Sequence, residues 1–188
     1  MNRFYVDQAA LLEFLGRLST AFNRPGRLYL VGETSQLFEG WYRRIEQVTV
    51  AAQVAAEDQA GFSVALDALQ NEMGIQVVEE APGDVIPLPA GHASRARLIS
   101  AQPAGPLQLY HFDPYSVAFR LITRGDEPDY QVVLAYLQHG WVTVEGMNDL
   151  LADLLPRFTN ETIQQDPAEF RRKFKGLLQM WRATERKA

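Results

Sequence analysis

Leu28-Tyr29-Leu30-Val31-Gly32-Glu33-Thr34-Ser35-Gln36-Leu37-Phe38, followed by Arg43-Arg44-Ile45-Glu46-Gln47-Val48-Thr49-Val50, is the stretch on which the fold of this chain turns. The apolar run ending at Val31 predicts a short buried strand, and Gly32 a tight turn after it. Residues 34–39 then suit a short helix stopped by Gly40, and Val48–Val54 reads as a second strand. A strand, a glycine turn, a helix and a strand make a cradle that suits phosphate. Backbone amides at the turn and at a helix N-terminus would face the anion. Gly32, Thr34 and Ser35 are the candidate cradle residues. Arg43 and Arg44 either hold the phosphate from the other side or form a solvated turn.

Outward from this segment the local signals are clear. Asp7 is an N-cap for a helix carried by Leu11, Leu12, Leu15, Leu18 and Phe22, and Asn23-Arg24-Pro25-Gly26 ends it. Phe62, Leu66, Leu69 and Met73 mark a second long helix that stops at Gly74, with a strand predicted over Ile75–Val78. Residues 81–106 are rich in proline and glycine, with strands expected at Arg95–Ser100 and Leu107–Phe112. Beyond Phe112 the signals are helical. Asp113-Pro114 and Glu127-Pro128 open helices, Thr143 caps a third, and Asp166-Pro167-Ala168-Glu169 opens the last. The expectation is an α+β protein: residues 1–112 an α/β part, residues 113–188 a helical part packed on it, as one compact unit or two tightly joined halves.

Composition narrows the chemistry. The 188 residues are 47% hydrophobic and 22% charged, enough apolar material for a core and too much for a disordered chain. There is no cysteine, so disulfides, thiolate metal sites and thiol nucleophiles are excluded. No apolar run is long enough to span a membrane, and the N-terminus lacks a signal-peptide pattern, so a cytoplasmic protein is expected. His92, His111 and His139 are far apart in sequence and read best as satisfied polar residues. Trp41-Tyr42 reads as a pair of core or rim aromatics, with a base-stacking platform as the alternative.

In its central segment the chain resembles the nucleotidyltransferase superfamily, in particular the small bacterial branch related to toxin–antitoxin and phage-defence transferases. That branch shows a strand, a Gly-Gly or Gly-Ser turn and then Asp-x-Asp on the next strand. Leu107-Gln108-Leu109-Tyr110-His111-Phe112-Asp113-Pro114-Tyr115-Ser116-Val117-Ala118-Phe119-Arg120-Leu121 is similar to its later strand and "Pro-Tyr-Asp-Leu-Ala-x-Ser-Lys-Leu" helix, with Arg120 where lysine is usual. Arg124 with Asp129-Tyr130-Gln131-Val132-Val133 is similar to its "Arg…Asp-x-x-Asp-Val" continuation, and the likeness covers residues 9–155. It implies a mixed sheet with flanking helices and a nucleotide cleft; Arg120 either faces that cleft or forms a surface ion pair with one of the many acidic side chains.

The departures from that pattern carry the functional expectation. Nucleotidyl transfer uses two metal ions held by carboxylates two residues apart on one strand face. At those positions this chain has Gln47 and Thr49, neither of which brings negative charge. Glu33 replaces the second small residue of the turn and sets a carboxylate beside an incoming phosphate. The expectation is a catalytically degenerate member that binds a nucleotide or a partner, without catalytic residues, metal or cofactor. Against it stands an active enzyme using magnesium and a nucleoside triphosphate through another register that recruits Glu46 or Glu57-Asp58.

Charge is unevenly placed. Acids outnumber bases two to one up to residue 170, and residues 171–188 hold seven bases against Glu185. In the last helix Phe170, Phe174, Leu177, Leu178 and Trp181 form an apolar stripe, with Arg171, Arg172, Lys173, Lys175 and Arg182 on other faces. The stripe packs on the body of the protein, or it docks a partner or a second copy, making the protein a structural dimerising one. The acidic body would repel phosphate backbones, so extended DNA binding is not expected.

Overall fold

The structure, a computed structural model, describes residues 5–99, 105–159 and 165–186. Helix α1 (Gln8–Phe22) starts where the Asp7 carboxylate accepts the Ala10 amide proton at 2.9 Å, and ends where Asn23 turns left-handed. Its buried face is Leu11, Phe14, Leu15, Leu18 and Phe22. Leu12, expected in that stripe, is 49% exposed, because position 12 falls off the edge of a face centred on 11, 15, 18 and 22.

Five strands form one mixed sheet in the order β3-β2-β1-β5-β4. They are β1 (Gly26–Leu30), β2 (Val48–Val54), β3 (Val77–Glu79), β4 (Arg97–Leu98) and β5 (Leu107–His111). β1 is antiparallel to β2 and parallel to β5, β2 is parallel to β3, and β4 is antiparallel to β5. The two-residue period of the strands sorts their side chains. Leu28, Leu30, Val48, Val50, Leu107 and Leu109 are buried in one core with α1 and with Phe62, Leu66 and Leu69 of α3 (Gln59–Met73). Each such side chain contributes about 1.5–3 kcal/mol by leaving water, which fixes both helices on that face. Arg27, Tyr29, Thr49, Gln53, Gln108 and Tyr110 alternate onto the opposite face.

Two strand expectations need correction. The strand predicted at 75–78 begins only at Val77, and Ile75 is buried in the connection before it. Residues 92–95 form a single helical turn, α4 (His92–Arg95), and β4 is just two residues long; Ser100 lies outside the described residues. Arg95 is drawn out of any strand by a tertiary partner, Asp113.

The chain separates into two units, one drawn from Met1–Glu80 and Ala96–Phe112, the other from Ala81–Arg95 and Asp113–Ala188. The division expected from sequence, 1–112 and 113–188, differs from this one by the segment 81–95. In the second unit, α5 (Pro114–Arg124) starts at Asp113, whose fully buried carboxylate has several donors. It takes Nε and Nη2 of Arg95, each at 2.9 Å, the Ser116 hydroxyl at 2.7 Å, and the amides of Tyr115 and Ser116. One residue thus caps a helix and anchors the segment before it.

The other helices of this unit are α6 (Glu127–Gln138), α7 (Val144–Leu154) and α8 (Pro167–Glu185). α8 packs on α5 and α6 through Phe170, Phe174 and Leu177, with the Phe170 ring edge-on to Phe158 and Phe119. The stripe is therefore buried inside its own unit, and the docking surface expected of it shrinks to half-buried Leu178 and Trp181. Lys173 is also committed: its ammonium donates to the Thr123 carbonyl and pairs with Glu169 at 3.1 Å, a cation at the C-terminus of α5. Gly125 makes room for it, since a Cβ there would lie 2.9 Å from Lys173 Cδ, and its φ of 76° suits glycine alone. The protein is α+β, with a mixed sheet, flanking helices and a helical C-terminal half. Among the described residues no helix is long and apolar enough to cross a membrane.

Candidate functional site

The turn after β1 is held by its own strands. Val31 N–H donates to the Thr49 carbonyl at 3.1 Å, which ties the end of β1 to the start of β2. Gly32 follows at φ 59° and ψ −125°, where a Cβ would meet nothing within 4 Å. The demand for glycine is conformational, with no close approach of another group. α2 (Glu33–Phe38) then begins at once, and its six residues bring only a small dipole to the turn.

Thr34 and Ser35, expected to face a phosphate, are both fully buried. Thr34 Oγ1 accepts the Thr49 amide proton at 2.7 Å, and Ser35 Oγ donates to the Leu30 carbonyl at 2.9 Å. Both hydroxyls stitch α2 to the strands on either side of it. The Thr34 amide is also engaged, by the Val31 carbonyl at 3.2 Å. Glu33 is exposed at the first helical position. Its charge is felt by half-buried Tyr42, whose hydroxyl is pushed above its ordinary pKa by burial and then by the Glu33 carboxylate.

Gln47 and Thr49 are half-buried at the start of β2. Val48 and Val50 point into the core, so Thr49 faces the other way, as a strand requires. Glu46 is exposed in the bend before β2, and Glu57 and Asp58 lie in the short turn Ala56–Asp58 beyond its far end. Seven strand residues at the usual rise put about 20 Å between that turn and Thr49, so Glu57-Asp58 does not join a site at Gly32. Among the described residues no three His, Asp or Glu side chains converge as metal ligands.

Arg43 is exposed in the connection after α2. The Arg44 guanidinium lies 4.4 Å from the Tyr5 ring centre, beside the Val6–Ile45 bridge. Arg120 belongs to the second unit, where its Nη1 donates to the Ala81 carbonyl at 2.9 Å. Trp41 and Tyr42 are half-buried, and Tyr42 packs against the core as a rim aromatic.

A pair that the sequence did not suggest closes the end of β5. His111, opposite Leu30 in register, is 4% exposed and lies edge-on to Phe38. Burial, joined by the Arg97 guanidinium, pushes its pKa down to about 4. At neutral pH the ring is uncharged, so its 2.9 Å contact with Glu39 Oε1 is a hydrogen bond donated by Nε2–H. His111 is a satisfied polar residue of the sheet, held by Glu39 just after α2.

Comparison with protein-family models, with curated proteins and with solved structures gives no match for this chain.

Proposed function

We propose that the protein is a non-catalytic binding module on a nucleotidyltransferase-like scaffold. The observation that carries this reading is the state of the Gly32 turn. Thr34 Oγ1 accepts the Thr49 amide proton, the Ser35 hydroxyl donates to the Leu30 carbonyl, and Glu33 adds negative charge; Gln47 and Thr49 stand where the resemblance would put the metal carboxylates. A turn whose hydroxyls are bonded to its own strands is a structural clasp. It favours recognition of a partner over capture of a triphosphate at this end of the sheet, since a polyphosphate would meet Glu33, and Gln47 and Thr49 bring no charge to hold a neutralising metal.

Isothermal calorimetry and thermal unfolding with magnesium and each nucleoside triphosphate test the reading. The expected outcome is no heat and no shift of the midpoint that requires metal and nucleotide together. A rise of several degrees with both present, and with neither alone, would overturn it.

A further inference from the structure

At the start of β1, away from the Gly32 turn, three polar side chains stand abreast on the sheet face opposite the helices. The register sets Gln53 and Gln108 on either side of Arg27. One rung further on, Tyr29 and Tyr110 are neighbours with ring centres 5.4 Å apart, and Phe112 is edge-on to Tyr29 at 5.3 Å. The three polar residues line an open depression of about 640 Å³, rimmed by Pro25 and Pro106. That is ample for a small ligand, for which pockets of about 300–1,000 Å³ are usual.

The hydrogen bonds decide what the rung can offer. The Tyr29 hydroxyl donates to Gln53 Oε1 at 3.3 Å, and the Tyr110 hydroxyl donates to Gln108 Oε1 at 3.2 Å. Each glutamine carbonyl is engaged, which leaves both NH2 groups as donors. Between them the exposed Arg27 guanidinium lies 5.8 Å from the Tyr110 ring centre, and among the described residues no carboxylate pairs with it. In a chain of net charge −5, the described residues that line the depression include one cation and no acid. Three donor groups in a row, with each glutamine carbonyl already engaged by a tyrosine hydroxyl, fit an oxyanion. A half-buried tyrosine beside them fits the face of a planar ring.

We infer that this rung is a binding site for a small aromatic oxyanion, a planar ring bearing a carboxylate or a phosphate monoester. The oxyanion sits on Arg27 between the Gln53 and Gln108 amides, and the ring lies against Tyr110. The inference does not rest on the nucleotidyltransferase resemblance or on the Gly32 turn.

Heteronuclear NMR of the full chain reads the site directly, through the side-chain NH2 resonances of Gln53 and Gln108. The probes are adenosine monophosphate and benzoate as ringed anions, adenosine as the neutral ring, and inorganic phosphate as the ringless anion. Saturable shifts of both amides are expected with at least one ringed anion, and the tighter of the two tells phosphate from carboxylate. Affinity for adenosine and for inorganic phosphate should be weaker by about tenfold or more, as should that of Arg27→Gln for the ringed anion. Arg27 is exposed, so the variant should keep its urea midpoint, and its loss of binding would not reflect unfolding. The inference is overturned if neither ringed anion moves the two amides saturably. It is equally overturned if inorganic phosphate or adenosine binds as tightly as the ringed anion, or if Arg27→Gln binds unchanged.

Discussion

Replacing Asp113 by alanine removes a helix cap and the partner of a half-buried cation at once. The wild-type carboxylate takes two bonds from Arg95, one from the Ser116 hydroxyl and two from backbone amides, with its side chain only 1% exposed. Losing the cap costs about 1 kcal/mol. Breaking a buried ion pair from one side costs about 3–5 kcal/mol. Arg95 is 25% exposed and can turn partly to water, which discounts the total to about 3–4 kcal/mol. Asp113→Asn keeps the cap and should lose less, about 1.5–3 kcal/mol. Urea unfolding followed by tryptophan fluorescence suits the measurement, because Trp141 and Trp181 both lie in the affected unit. With a slope of about 1–3 kcal/mol per molar urea, Asp113→Ala should lower the midpoint by about 1–4 M. Arg95→Met combined with Asp113→Ala should fall well short of additive, because the first change already removes the pair. A loss below about 1 kcal/mol for Asp113→Ala, or full additivity in that cycle, would refute the assignment of this pair as the anchor of residues 81–95.

Two further outcomes follow from buried groups in the first unit. His111 has a folded pKa of about 4, below its unfolded value near 6.5, so only the unfolded chain gains a proton between those values. Stability should fall as pH drops from about 6.5 to 4, by up to about 3 kcal/mol, and His111→Gln should flatten that part of the urea-midpoint profile; an unchanged slope would disprove the link. Thr34→Val removes the acceptor of the Thr49 amide and should cost about 1–3 kcal/mol, with faster hydrogen exchange at Thr49; unaltered protection there would show that the clasp is dispensable.

What could be read from sequence was local. The Asp7 and Asp113-Pro114 caps, the glycine turn after Leu30 and the apolar stripe of α8 all declare themselves within one or two turns of chain. What could not be read was which distant group each side chain would meet. Arg95 looks like the start of a strand until Asp113, eighteen residues on, takes its guanidinium. Thr34 and Ser35 look like phosphate ligands, because a hydroxyl in a turn gives no sign of whether it faces solvent or the neighbouring strand. Arg27, Gln53 and Gln108 become a row only once two strand registers are fixed, one antiparallel and one parallel. The alternation of Arg27 with Tyr29 and of Gln108 with Tyr110 was the available trace of that row, and it is too short to stand alone.

The second unit is discontinuous, and this sets an order of events during synthesis. Its opening segment, 81–95, leaves the ribosome before any of the helices it belongs with, while the first unit is complete once Phe112 has been made. The early unit can close on its own core, but the waiting segment must remain soluble beside it. Pro82, Pro87 and Pro89, with Gly83 and Gly91 among them, make that stretch a poor template for strand pairing, which protects it through the delay. A gene divided after residue 112 would release the first unit with a surplus internal loop. The helices would emerge without Arg95, the residue that fastens their beginning.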